Sequence, residues 1–185
     1  ELAAARVRAM SVDHIHDRLD DRFRLLTGGG RASPRRQQTL RALIEWSYRL
    51  LDKAEQKLFC RLAVFQGGFM MEAAEDVCAF DGIESWNVMD LLLQMVDKSL
   101  VLVEEGASGT RYRMLETLRE CGIEQLVSDS GVEEARERHA QYFRKFVREH
   151  EADFQGLHQI DAFDRVEEEL DNVRQALTWS MRKGP

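Results

Sequence analysis

The chain has 185 residues, 44% hydrophobic and 32% charged, enough for one ordinary domain or two small ones and with no disorder signature. Its net charge of −7 argues against a dedicated nucleic-acid domain, which ordinarily carries a basic surplus for phosphate neutralisation. No wholly apolar run is long enough to span a membrane, and the opening ELAAARVRAM, with arginines inside an amphipathic pattern, is not a signal peptide.

Residues 1–20 read as the tail of a helical domain, with Ser11 as N-cap of a short helix to about Leu19. Residues 21–38 read as a linker, because the stretch from 20 to 38 holds three glycines, a proline and five arginines without apolar periodicity. From Thr39 a helical stripe runs through Leu40, Leu43, Ile44, Ser47 and Leu51. Asp52 and Glu55 make a capping box for a second helix, expected to end at Gly67 and Gly68. Short helices follow over about 72–79 and 85–98, the latter with Val88, Leu92, Met95 and Val96 inward. The period then changes: 99–104 and 111–114 read as strands of a hairpin with its tip at 105–110, and 115–128 returns to helix. Helices followed by a two-stranded hairpin are the order of a winged helix-turn-helix, here 39–130, with 85–98 as the second helix of the turn.

Residues 131–185 form two amphipathic stripes. One runs through Ala135, His139, Tyr142, Phe143, Phe146 and Val147, the other through Ile160, Phe163, Val166, Leu170, Val173 and Leu177, on either side of Phe154-Gln155-Gly156. They predict a helical hairpin, the start of a repeat array. The fold class is therefore mainly α, a winged helix with a small β-hairpin and then a tetratricopeptide-like helical pair. A chain that opens on Glu1 inside a helix reads as a fragment of a longer protein.

Chemistry-bearing motifs are sparse. Gly28-Gly29-Gly30 is followed by Arg31 and lacks the lysine and hydroxyl residue of a phosphate-binding loop, so a connector is the default and ATP hydrolysis is not expected. His14 and His16 point to different faces of a helix, and His139 and His150 are too far apart to chelate together; core or boundary histidines are the default for the latter pair. Cys60, Cys78 and Cys121 are odd in number and widely spaced, so they read as buried thiols of a reducing cytosol rather than metal ligands. Nothing supports nucleophilic catalysis, and the chain reads as a non-enzyme without a cofactor or metal of its own.

On a DNA reading, Asn87, Gln94, Lys98 and Arg111 would make the contacts. Asp90, Asp97, Glu104 and Glu105 share that surface and would repel a duplex. The basic cluster of Arg31, Arg35, Arg36 and Arg41 lies outside the reading helix. The acidic run 167–171 reads as a solvated helix face, and Trp46, Trp86 and Trp179 as packing residues.

Five stretches, RLDDRFRLLTGGGR (18–31), QQTLRALIEWSYRLLDKAEQKLFCRLAVFQGGF (37–69), LLLQMVDKSLVLVEE (91–105), RYRMLETLRECGIEQL (111–126) and EEELDNVRQALTW (167–179), together resemble one family. It is the STAND class of bacterial ATPases that accompany LuxR- and SARP-type transcription regulators, similar in layout to NB-ARC ATPases. The resemblance implies that residues 1–20 follow an ATPase core, that ADP or ATP binds in the intact protein and not in this chain, and that the winged helix packs on that nucleotide-binding domain. It also implies a cytoplasmic protein, with a protein partner on its helical repeats. The family's Met-His-Asp nucleotide-sensor motif falls on Met114, Leu115 and Glu116; Leu115 cannot donate a hydrogen bond to a phosphate, which leaves packing and a helix-terminal carboxylate. The resemblance thus implies a regulatory module of a nucleotide-switched regulator, with a DNA-binding winged helix as the alternative.

Overall fold

The computed structural model describes residues 35–106, 108–128, 131–151, 154 and 159–183. The expectations for residues 1–20, including His14 and His16, for Gly28 to Arg31 and for Gln155 and Gly156 lie outside the described residues.

Helix α1, Arg35–Arg49, begins four residues before Thr39, and places Ile44, Trp46 and Ser47 in the interior. Helix α2, Lys53–Leu62, opens with the expected capping box: Asp52 Oδ1 accepts from the Glu55 backbone at 2.8 Å, and Glu55 Oε2 accepts from the Asp52 backbone at 2.9 Å. It stops at Leu62, well before the two glycines, and a turn follows. Gly67 (φ 81°) and Gly68 (φ 139°) instead shape the bend into Phe69. Phe69 exchanges backbone hydrogen bonds with Tyr112 at 2.9 and 2.8 Å, which adds a one-residue third strand to the wing sheet.

Helices α3, Met71–Cys78, and α4, Ser85–Asp97, form the helix-turn-helix. Arg61 of α2 holds their turn. Its buried guanidinium donates to Cys78 O at 2.9 Å and stacks over the Phe80 ring at 3.5 Å. Lys57 Nζ donates to Asp81 O at 2.8 Å, and Asp81 sits at φ 41°. Helix α4 ends in a Schellman motif, with Leu100 N–H on Met95 O and Ser99 N–H on Val96 O, both 2.9 Å. Ser99 occupies the left-handed position, φ 56°, where glycine is usual.

That cap consumes residues 99–101, and Leu100 and Val101 are buried. β1 therefore starts later than the sequence pattern predicts, at Leu102–Gly106, whereas β2, Gly109–Arg113, starts earlier than its expected 111; the two are antiparallel, with Leu102 opposite Arg113 and Gly106 opposite Gly109. Helix α5, Glu116–Ser128, returns across α2. A Cβ at Gly122 would lie 2.7 Å from Ala63 Cβ and 3.3 Å from Phe59 O, so only glycine permits this approach.

Helix α6, Val132–His150, packs on α3 and on α8, Leu170–Lys183, while α7, Gln159–Glu168, precedes α8. The second apolar stripe is thus two helices, broken at Glu169. Its orientation also differs from the expectation. Ile160, Phe163 and Leu177 are exposed, whereas Ala162, Glu169, Asn172 and Ala176 are buried. One continuous core, centred on Leu58, Phe59, Leu62, Phe69, Leu92, Met95, Leu118 and Phe143, joins the winged helix to α6.

Candidate functional site

The outer face of α4 is the surface a winged helix offers to a partner. Spacing places Val88, Leu92 and Met95 inward, which leaves Trp86, Met89 and Leu93 at i, i+3 and i+7 on the other side. Trp86 is 72% exposed, so it is not the packing residue the sequence suggested; Trp46 is buried and Trp179 packs partly on the core. Asn87, Asp90, Gln94 and Asp97 are exposed around this apolar stripe.

Of the four residues expected to contact DNA, two face solvent and two are engaged within the protein. Lys98 Nζ pairs with the buried carboxylate of Glu55. Arg111 pairs with the buried carboxylate of Glu169 and donates to Glu168 O at 3.2 Å. The other wing arginine, Arg113, donates to Glu104 across the hairpin at 3.0 Å, and this hydrogen bond holds the Glu104 carboxyl below its ordinary pKa and raises that of Arg113. In the basic cluster, Arg41 pairs with Glu124 and lies 3.6 Å from Glu45.

Met114 is buried, Leu115 is 41% exposed, and Glu116 opens α5. The Glu116 carboxylate accepts twice from Arg119, at 2.7 and 3.0 Å, and is held below its ordinary pKa by it. All three cysteines are buried and outside any disulfide; burial pushes the Cys78 thiol up to about 12 and raises that of Cys121.

A polar junction that sequence reasoning missed ties the wing to the helical pair. Asn172, fully buried, donates to Gly68 O and to Glu169 Oε2, both at 2.7 Å, and its Oδ1 accepts from Gln66 N–H at 2.7 Å. His139 Nε2 lies 3.3 Å from the same Oδ1. An amide oxygen only accepts, so His139 is the Nε2–H tautomer. Burial lowers its pKa to about 4, against the opposing pull of the Asn172 hydrogen bond. His139 is thus a core histidine, and His150 bonds its own helix through Phe146 O at 2.8 Å. The acidic run is solvated at Glu167 and Asp171 but not at Glu169, which the Arg111 guanidinium holds inside. No local signal marked the junction: Asn172 lies outside the apolar stripe, three positions after Glu169 of the acidic run.

Among the described residues no group of three or more His, Cys, Asp or Glu side chains is placed to hold a metal ion, and no helix is long and apolar enough to cross a membrane.

Residues 51–139 match the model of the winged helix-turn-helix domain family. The whole chain is 46% identical over 184 residues to a protein of Mycobacterium tuberculosis named as a putative HTH-type transcriptional regulator, and equally to a Mycobacterium bovis protein of the same description. An uncharacterized protein of Mycobacterium tuberculosis is 40% identical over 136 residues, covering 73% of this chain and 34% of that protein. The chain spans 21% of the length of the regulators it matches. No solved structure matches it.

Proposed function

We propose that this chain, whose residues 51–139 form a winged helix-turn-helix domain, is the non-catalytic regulatory part of a longer transcriptional regulator that works in a bacterial cytoplasm. The names of its relatives support the transcriptional role, and the helix-turn-helix supports a macromolecular contact through α4.

The α4 face itself favours a protein surface over a duplex. Exposed Trp86, Met89 and Leu93 offer apolar area worth about 2 kcal/mol per side chain if fully covered. Asp90 and Asp97 beside them oppose phosphate, while Lys98 and Arg111 are spent on internal carboxylates. The partner that fits is the upstream part of the same longer polypeptide. There a nucleotide-binding domain would take ADP or ATP, and this module would dock on it and hold the off state. Residues Met114, Leu115 and Glu116 would add packing and a carboxylate to that contact, without a phosphate ligand.

Direct duplex binding is the second reading. The match to a helix-turn-helix family and the names of the relatives favour it, and Asn87 and Gln94 stand exposed on α4 for base edges.

Titration of the chain with duplex DNA at low and high salt separates the two readings. No saturable, salt-dependent affinity is expected here. A longer polypeptide should bind ADP, and replacing Trp86, Met89 and Leu93 together with serine should loosen its winged helix. Steeply salt-dependent duplex binding by residues 1–185, weakened by Asn87→Ala and Gln94→Ala, would replace the docking reading with the DNA one.

A further inference from the structure

Between α6 and α8 lies an open cleft of about 310 Å³, close to the lower size for a small-molecule site. In a chain of net charge −7 its lining contains Arg136 and Arg182 and no carboxylate. Among the described residues the ionic partner of Arg136 is the exposed Glu133, at 4.0 Å. Trp179 supplies an indole wall. The carboxamide oxygen of Gln175, also in the lining, is buried with no hydrogen-bond partner among the described residues. Leaving a buried acceptor unpaired is unfavourable, and a ligand's N–H or O–H would relieve it.

We propose that this cleft binds a small organic anion that carries a hydrogen-bond donor: Arg136 and Arg182 take its carboxylate or phosphate oxygens, Gln175 Oε1 accepts from its donor, and its body lies on Trp179. Guanidinium pairs are suited to both anionic head groups. His139 is neutral here and adds no charge, so affinity follows the two arginines. The position gives the site a consequence. His139 and Gln66 both line the cleft and both contact Asn172 Oδ1, the atom at the centre of the wing junction. An occupant therefore bears on the hydrogen bonds that fix the wing against α8.

Binding is read by calorimetry on the 185-residue chain, independently of any duplex or nucleotide, with para-hydroxybenzoate as the carboxylate probe, phosphoethanolamine as the phosphate probe and neutral para-hydroxybenzamide as control. At least one anion should saturate with a Kd below about 1 mM, and the control should not. The arm that saturates identifies the head group. Arg182→Ala, at an exposed position, should weaken that binding about tenfold, and Arg136→Ala likewise. Gln175→Leu should weaken it while leaving benzoate, which lacks the donor, unaffected. Absence of saturation by either anion up to about 10 mM, or binding by both arginine variants as tight as by the unsubstituted chain, would overturn the proposal.

Discussion

The winged helix turns two faces away from its own core, and they are built in opposite ways. Toward α8 it buries polar groups: Asn172, Glu169, His139 and Arg111 satisfy one another and the backbone of Gln66 and Gly68. Along α4 it exposes apolar ones, Trp86, Met89 and Leu93. Each inverts the usual partition, and each is informative for that reason. The buried polar face fixes one geometry, since any shift leaves several groups unpaired at once. The exposed apolar face fixes nothing within this chain and is available to a partner.

The scaffold both faces share sets the scale. Phe59→Ala removes a fully buried ring at the centre of the core and should cost about 4 kcal/mol in chemical denaturation, loosening both faces together. Asn172→Ala should cost about 3 kcal/mol by leaving Gln66 N–H and Gly68 O unpaired. Its signature is local: hydrogen exchange should rise at Gly68, Phe69 and β2 while α2 and α5 stay protected, and a uniform loss of protection would refute a separable junction.

Acid probes the same face. Folded His139 has its pKa lowered from 6.5 to about 4, so between those values the unfolded chain binds a proton that the folded one does not. Stability is full above pH 6.5 and falls as pH drops, by about 2 kcal/mol at pH 5 at 1.36 kcal/mol per unit. His139→Gln, which keeps a donor, should flatten that window. Glu104 and Glu116, held below their ordinary 4.5 by arginines, lose their contributions only at lower pH. The smallest effect belongs to the α4 face: Trp86→Ser with Met89→Ser should change stability by less than about 0.5 kcal/mol. A large loss there would mean that the stripe packs within the chain.

Periodicity made α1 to α5 legible because their buried sides are apolar and their caps local, as with Asp52 and Glu55. The first wing strand starts late because the left-handed Ser99 prolongs the turn out of α4, and a serine there gives no sign of it; the second starts early because the pairing runs on to Gly106 opposite Gly109. In α7 and α8 the apolar stripe holds at Val173, which packs against the core, and fails at Ile160, Phe163 and Leu177, which are exposed. What α8 buries is small or polar, Ala176 and Asn172, and its partners lie about a hundred residues earlier at Gln66 and Gly68, beyond the reach of a local pattern. The DNA candidates could be placed on α4 and the wing, but the pairing of Lys98 with Glu55 and Arg111 with Glu169 is visible only in three dimensions.

The three interior thiols make the chain its own stopwatch. Cys60 and Cys121 sit on α2 and α5 and Cys78 ends α3, all buried in the folded state and Cys78 completely so. With its thiol pushed up to about 12, Cys78 stays protonated at neutral pH and cannot be alkylated until α3 opens. The order in which the three are labelled during a slow denaturant ramp would therefore date the opening of each helix, with no dye or added residue.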